Sequence, residues 1–116
     1  KKEAKANNKN ILLVFSGSDW CSNCRRLDKS VFQQQEFKNF ATKNLVLLSA
    51  DFPMKKKNRL SKEQTEHNES LAKKYNNKGV FPTVLLLDHT GFVKAEMDAS
   101  EHDVKKFINE IKKTIK

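Results

Sequence analysis

Five consecutive apolar residues, Ile11-Leu12-Leu13-Val14-Phe15, run through Ser16-Gly17-Ser18-Asp19-Trp20 into Cys21-Ser22-Asn23-Cys24. This segment constrains the fold more than any other. An unbroken apolar run of strand length with branched side chains suits a strand buried on both faces, which needs a layer above and a layer below. Ser16 to Asp19 supply turn and helix-capping side chains. From Ser22 onward the residues favour helix, with Leu27 and Val31 four apart on one face. Two cysteines therefore stand at a helix start, directly after a buried strand.

The rest of the chain continues that alternation. Gln34 to Thr42 is expected to be helical and to bury Phe37 and Phe40. Leu45-Val46-Leu47-Leu48 reads as a second buried strand ending near Asp51 and Pro53, and Pro53 to Leu60 as a polar connection. Ser61 and Gln64 have capping-box spacing and open a helix to about Asn76, with Leu71, Ala72 and Tyr75 facing inward. Gly79 follows, where a left-handed residue is expected. Thr83 to Leu87 is a strand, Asp88-His89-Thr90-Gly91 a turn, and Phe92 to Met97 an antiparallel return. Ser100 and Asp103 repeat the capping-box spacing ahead of a helical stripe of Val104, Phe107, Ile108, Ile111 and Ile115.

Two buried strands joined through a helix imply a parallel pair with a right-handed crossover, and the final hairpin adds antiparallel strands. The expected class is α/β, with a mixed central β-sheet flanked by helices on both faces. At 116 residues the chain fits one domain. Residues 11–116 are expected to form it, and residues 1–10, polar and lysine-rich, to be a flexible leader. No apolar run is long enough to cross a membrane.

Lys and Arg total 23 against 14 Asp and Glu, a net charge of +9. The lysines are spread over every segment. The tightest run, Lys55-Lys56-Lys57-Asn58-Arg59, sits among turn residues and reads as a solvated loop. A nucleic-acid partner is therefore not expected, and the charge is read as solubility with a mild preference for acidic partners.

Both cysteines fall in the Cys-x-x-Cys, which leaves three readings. A zinc site would need further ligands, and His67, His89 and His102 lack zinc-finger spacing. A structural disulfide of this spacing closes a very small loop and adds little chain-entropy stabilisation. Disulfide exchange needs a thiolate and a second thiol to resolve the mixed intermediate. A helix start supplies both, since free N–H groups and the helix dipole favour the anion of the first cysteine. Cys21, expected to be exposed at the cap, is assigned as nucleophile, and Cys24, one turn on and more buried, as resolving thiol. The alternative is a binding module whose cysteine pair is structural or holds a metal.

The segment from Val14 to Cys24, with Trp20 directly before the first cysteine, resembles the active-site segment of thioredoxin-like proteins. Val80-Phe81-Pro82-Thr83 resembles that family's cis-proline loop. The resemblance covers about Ile11 to Ile115. It is most similar to the C-terminal periplasmic domain of transmembrane thiol-disulfide interchange proteins and to secreted bacterial thioredoxin-like proteins. It implies a thioredoxin fold and a thiol-disulfide oxidoreductase acting through a redox-active Cys21–Cys24 disulfide without metal or organic cofactor. It further implies a cis Phe81–Pro82 bond and a substrate-binding role for Trp20, Phe81 and Pro82. Protein thiols or disulfides are the implied substrates and an upstream thiol reductant the implied partner. The expected state is a monomer, located in the periplasm or secreted, its signal segment not part of this sequence.

Several residues depart from the family pattern. Phe15 stands where thioredoxins carry a buried acid in the strand before the motif. Asp19 is the nearest candidate for the proton-relay role, with water or a mere turn-capping function as its alternatives. Ser22-Asn23 between the cysteines is neither Gly-Pro nor Pro-His, which implies a moderate potential. With so few residues ahead of the first strong strand, the family's first strand and helix are expected to be shortened or missing.

Overall fold

The structure, a computed structural model, describes residues 9–76 and 78–115. The expected leader, apart from Lys9 and Asn10, lies outside the described residues, as does the expected shortening of the family's first strand and helix. Strand β1 (Asn10–Ser16) begins one residue earlier than the apolar run suggests, and its central residues are buried on both faces. Helix α1 (Ser22–Leu27) starts at the cysteine pair and runs without a break into a π-helical turn, Asp28–Phe32. Helix α2 (Gln35–Asn44) then leads into strand β2 (Leu45–Asp51). A single 3-10 turn, Lys56–Asn58, interrupts the polar connection. Helix α3 (Lys62–Tyr75), strands β3 (Thr83–Leu87) and β4 (Val93–Met97), and helix α4 (Val104–Ile115) complete the chain.

The sheet order is β2-β1-β3-β4. β1 pairs parallel with β2 and antiparallel with β3, and β4 returns antiparallel to β3. This is the mixed sheet that the apolar pattern predicts. The parallel register sets Ser16 opposite Asp51, so β1 and β2 end level with each other. That shared end carries the cysteines.

Alternation along β1 divides its side chains between two cores. Leu12 joins Leu27, Val31, Phe37, Phe107 and Ile111 on the face covered by α1, α2 and α4. Ile11, Leu13 and Phe15 join Leu71, Leu85 and Leu87 on the face covered by α3. On the first face, Phe32 and Phe37 meet Phe107 edge-on with ring centroids 5.7 and 6.2 Å away.

The Ser61 hydroxyl accepts from the Gln64 amide at 3.1 Å, so this end of α3 is capped as its spacing implies. The Gln64 side chain does not complete the box, because it donates instead to Asn68. At α4 the expected box is absent. The Ser100 hydroxyl donates to Asp98 at 2.6 Å, and Asp103 itself caps the helix by accepting from the amides of Lys105 and Lys106. An Asp–Ser turn two residues long competes successfully for Ser100 and leaves the capping position to the next acid. Gly79 has φ of 66°, the left-handed conformation expected after α3.

Candidate active site

β1 ends in a tight turn. The amides of Trp20 and Cys21 both donate to the Gly17 carbonyl, at 3.1 and 2.8 Å. Gly17 is required here for space: a Cβ at this position would overlap the Trp20 indole ring. The turn draws Cys21 inward, and Cys21 then caps α1 in extended backbone conformation.

Cys21 and Cys24 are joined as a disulfide with Cα atoms 5.3 Å apart. The Cys24 amide donates to Cys21 Sγ at 3.3 Å. The expectation that Cys21 is exposed and Cys24 more buried is not met, since they are 6% and 5% exposed. The cause is the Gly17 turn together with the bond to Cys24, which hold the first cysteine against the sheet end. An amide hydrogen directed at Cys21 Sγ from the first turn of a helix favours the thiolate once the bond is reduced.

Three loops converge on the pair, and each is held by identifiable bonds. Asp51, at the end of β2, accepts from the Ser18 amide at 2.8 Å and the Ser18 hydroxyl at 2.6 Å. Its own carbonyl accepts from Asn68 Nδ2 at 2.9 Å, which ties the turn back to α3. Trp20 Nε1 donates to the Phe52 carbonyl at 2.7 Å. The Trp20 ring meets Phe81 edge-on at 5.4 Å, and Phe81 meets Phe52 at 5.5 Å. Trp20 is nonetheless 42% exposed, so its outer face is open beside the cysteines.

The Phe81–Pro82 peptide bond is cis. Asn76 fixes this loop from below. Its Nδ2 donates to the Val80 carbonyl at 2.9 Å, its Oδ1 accepts from the Val80 amide at 3.2 Å, and Thr83 Oγ1 donates to the same carbonyl at 2.7 Å. Asn68, Asn76 and Asp51 hold the site together, and sequence reading missed all three in this role. Each is a polar residue at the sheetward side or end of an element, which gives only a faint signal.

Asp19 is engaged by the loop that follows β2. Its carboxylate accepts from the amides of Met54 and Lys55, both at 2.9 Å, and from Asn58 Nδ2 at 3.0 Å. The Met54 amide bond and the Asn58 side-chain bond hold its pKa down at about 2, below the ordinary 3.8. A groove of about 700 Å³ is lined by Cys24, Pro82, Val14, Phe32, Arg25 and Lys29 among others. Among the described residues, no group of three or more His, Cys, Asp or Glu side chains is placed to hold a metal ion. No helix among them is long and apolar enough to cross a membrane.

Comparison with known proteins agrees with this geometry. The chain belongs to the thioredoxin-like family, whose thioredoxin-like domain matches residues 1–114, and with its Cys21–Cys24 couple it is a thiol-disulfide oxidoreductase. It is 32% identical over 115 residues to the disulfide bond reductase DsbH of Chlamydia pneumoniae, covering 99% of this chain and 68% of that protein. A solved DsbH oxidoreductase superposes with a TM-score of 0.89 at 31% identity, over 98% of this chain and 77% of the other. A thioredoxin from Thermus thermophilus shares the fold at 15% identity, with a TM-score of 0.72 over 98% and 79% of the two chains.

Proposed function

We propose that this protein reduces disulfides in protein substrates, with Cys21 as attacking thiolate and Cys24 as resolving thiol. In the reduced protein Cys21 attacks one sulfur of the substrate disulfide. A mixed disulfide forms and one substrate thiolate leaves. Cys24 loses its proton and attacks Cys21 Sγ, which releases the second substrate thiol and restores the Cys21–Cys24 bond. Two electrons have then passed to the substrate, and an upstream dithiol must return them. The observation that carries the assignment is the amide of Cys24 directed at Cys21 Sγ in a pair that begins a helix.

Trp20, Phe81 and Pro82 form the surface that receives the substrate segment; the exposed ring of Trp20 and the exposed residue Val80 beside the cis bond support this. Asp19 serves as the anchor of the 53–58 loop and not as a proton relay, because a carboxylate with three donors and a pKa near 2 is too weak a base to take up the Cys24 proton near neutrality. With Phe15 at the family's acidic position, the Cys24 proton leaves to water in the groove that Cys24 lines. The resemblance to periplasmic and secreted domains supports a location outside the cytoplasm, and the chain is taken to act as a monomer.

The test is to equilibrate the protein with glutathione and to offer the reduced Cys24→Ser variant to a disulfide protein such as insulin. A reversible couple, with mixed disulfides trapped on Cys21 and none with Cys21→Ser, is expected. The potential should lie well below the roughly −120 mV of the strongest bacterial oxidants. A pair that resists strong thiol reductants, or that binds zinc once reduced, overturns the assignment.

A further inference from the structure

Charge around the disulfide is distributed unevenly in a way the sequence does not show. Three carboxylates stand near the cysteines, and every one is engaged internally. Asp19 binds the 53–58 loop, Asp51 binds Ser18, and Asp28 accepts from the Gln33 side chain. Among the described residues, none of the cations beside them forms an ion pair, although Lys55 acts electrostatically on Asp19. Arg25 and Arg26 follow Cys24 directly, and Arg25 and Lys29 line the groove that Cys24 opens onto. In the loop that Asp19 holds, Lys55, Lys56 and Lys57 are also exposed. Among the described residues the one ion pair is Lys113 with Glu110, far along the chain in α4.

Asp19 gives the lysine run its place. Alone, Lys55-Lys56-Lys57 would be a solvated loop at no fixed distance from anything. Here the backbone of Met54 and Lys55 and the Asn58 side chain are bonded to a residue two positions before Cys21. Trp20 pins Phe52, two residues before Met54, by donating to its carbonyl. The lysine side chains extend from a backbone held against the active-site turn, and Arg25, Arg26 and Lys29 follow Cys24 along α1 and the π-helical turn.

We propose that these two cationic groups form a docking collar for acidic protein segments, so that preferred substrates carry Asp or Glu beside the disulfide to be reduced. The proposal rests on the exchange function above and adds the chemistry of the partner. Opposite charge flanking a reacting centre raises the encounter rate, and salt screens the gain within about 10 Å at 0.1 M ionic strength.

The experiment measures kcat/KM of the reduced protein on three disulfide peptides of one length, flanked by Glu, Gln or Lys, at low salt and at high salt. A small uncharged disulfide, 2-hydroxyethyl disulfide, is run beside them. Glu-flanked peptide is expected to exceed the Gln-flanked one about tenfold at low salt. The ratio should fall towards one at high salt and, at low salt, in Lys56→Gln/Lys57→Gln. Lys105→Gln/Lys106→Gln removes the same charge from α4 and should keep the ratio of the wild-type protein. Equal rates on the Glu and Gln peptides overturn the collar, and so does equal loss of preference in both double variants, which would make net charge the cause. Loop-dependent binding of duplex DNA or anionic vesicles without peptide preference also overturns it. Failure to reduce even the small disulfide would instead overturn the exchange function itself.

Discussion

The two faces of the sheet are built by different means. Under α1, α2 and α4 the interface is dry: Leu12, Phe37, Phe107 and Ile111 interlock, and the aromatic rings of Phe32, Phe37 and Phe107 meet at tilted or edge-on angles. Under α3 the apolar contact is smaller, and polar side chains cross it. Asn68 reaches the end of β2, Tyr75 OH donates to the Gly91 carbonyl at 2.8 Å, and Asn76 clasps Val80. Burial without direction supplies most of the stability on the first face. Hydrogen bonds, which carry direction, position the loops from the second. One face keeps the protein folded and the other keeps the site in shape.

That division can be broken most forcefully at Phe107. Phe107→Ala empties the centre of the dry face and is expected to cost about 3–5 kcal/mol in denaturant unfolding. The redox potential of the surviving folded protein should stay where it was. Asn76→Ala attacks the other face and should cost about 1 kcal/mol, because the part-buried amide of Val80 loses its partner and its carbonyl keeps only the bond from Thr83. Its signature is functional: kcat/KM on a protein disulfide should fall several-fold more than stability alone explains. An Asn76→Ala protein with unchanged exchange kinetics would dissolve the distinction between the faces.

Gly17→Ala sharpens the comparison at the site itself. The new methyl group displaces the Trp20 ring, with the loss of about 1 kcal/mol expected for its hydrogen bond to Phe52. The protein has a single tryptophan, so a red shift of its fluorescence reports the displacement directly. The smallest expected effect is acid-dependent. Asp19 has its pKa lowered from 3.8 to about 2. Its contribution is therefore complete above the unfolded pKa and lost as pH falls from 3.8 through about 2. Asp19→Asn should flatten the decline of the melting temperature across that window, while Asp88 and Asp98, also lowered by their own turn bonds, keep part of it.

Apolar patterning made much of this legible in advance. Ile11 to Phe15, the Leu27–Val31 spacing and the Val104–Ile115 stripe each report burial on a fixed period, and all of these residues lie in or against a core. Ser61 announced its helix because capping acts over three residues. What the pattern could not show depends on atoms distant in sequence. Asp51 looks like the polar end of a strand until the register sets it opposite Ser16. Asn68 looks like one more polar residue in a polar helix, and only burial at 2% exposure separates it from its neighbours. Ser100 misled for the converse reason: two local bonds were possible, and nothing in the spacing ranks them. The depth of Cys21 follows from a turn whose closure depends on Gly17, and composition does not reveal it.

The bonds from Ser18 to Asp51, Trp20 to Phe52 and Asp19 to Met54 span 33, 32 and 35 residues. On a chain emerging from the ribosome, the two cysteines are therefore synthesised well before the groups that shape their turn. Until β2 has docked beside β1, they are ordinary thiols on an unformed segment, with no fixed amide to favour one over the other. Contacts of such separation form late. The reactivity shaped by this turn thus depends on the closed sheet, and a nascent or partly unfolded chain carries two thiols of ordinary reactivity.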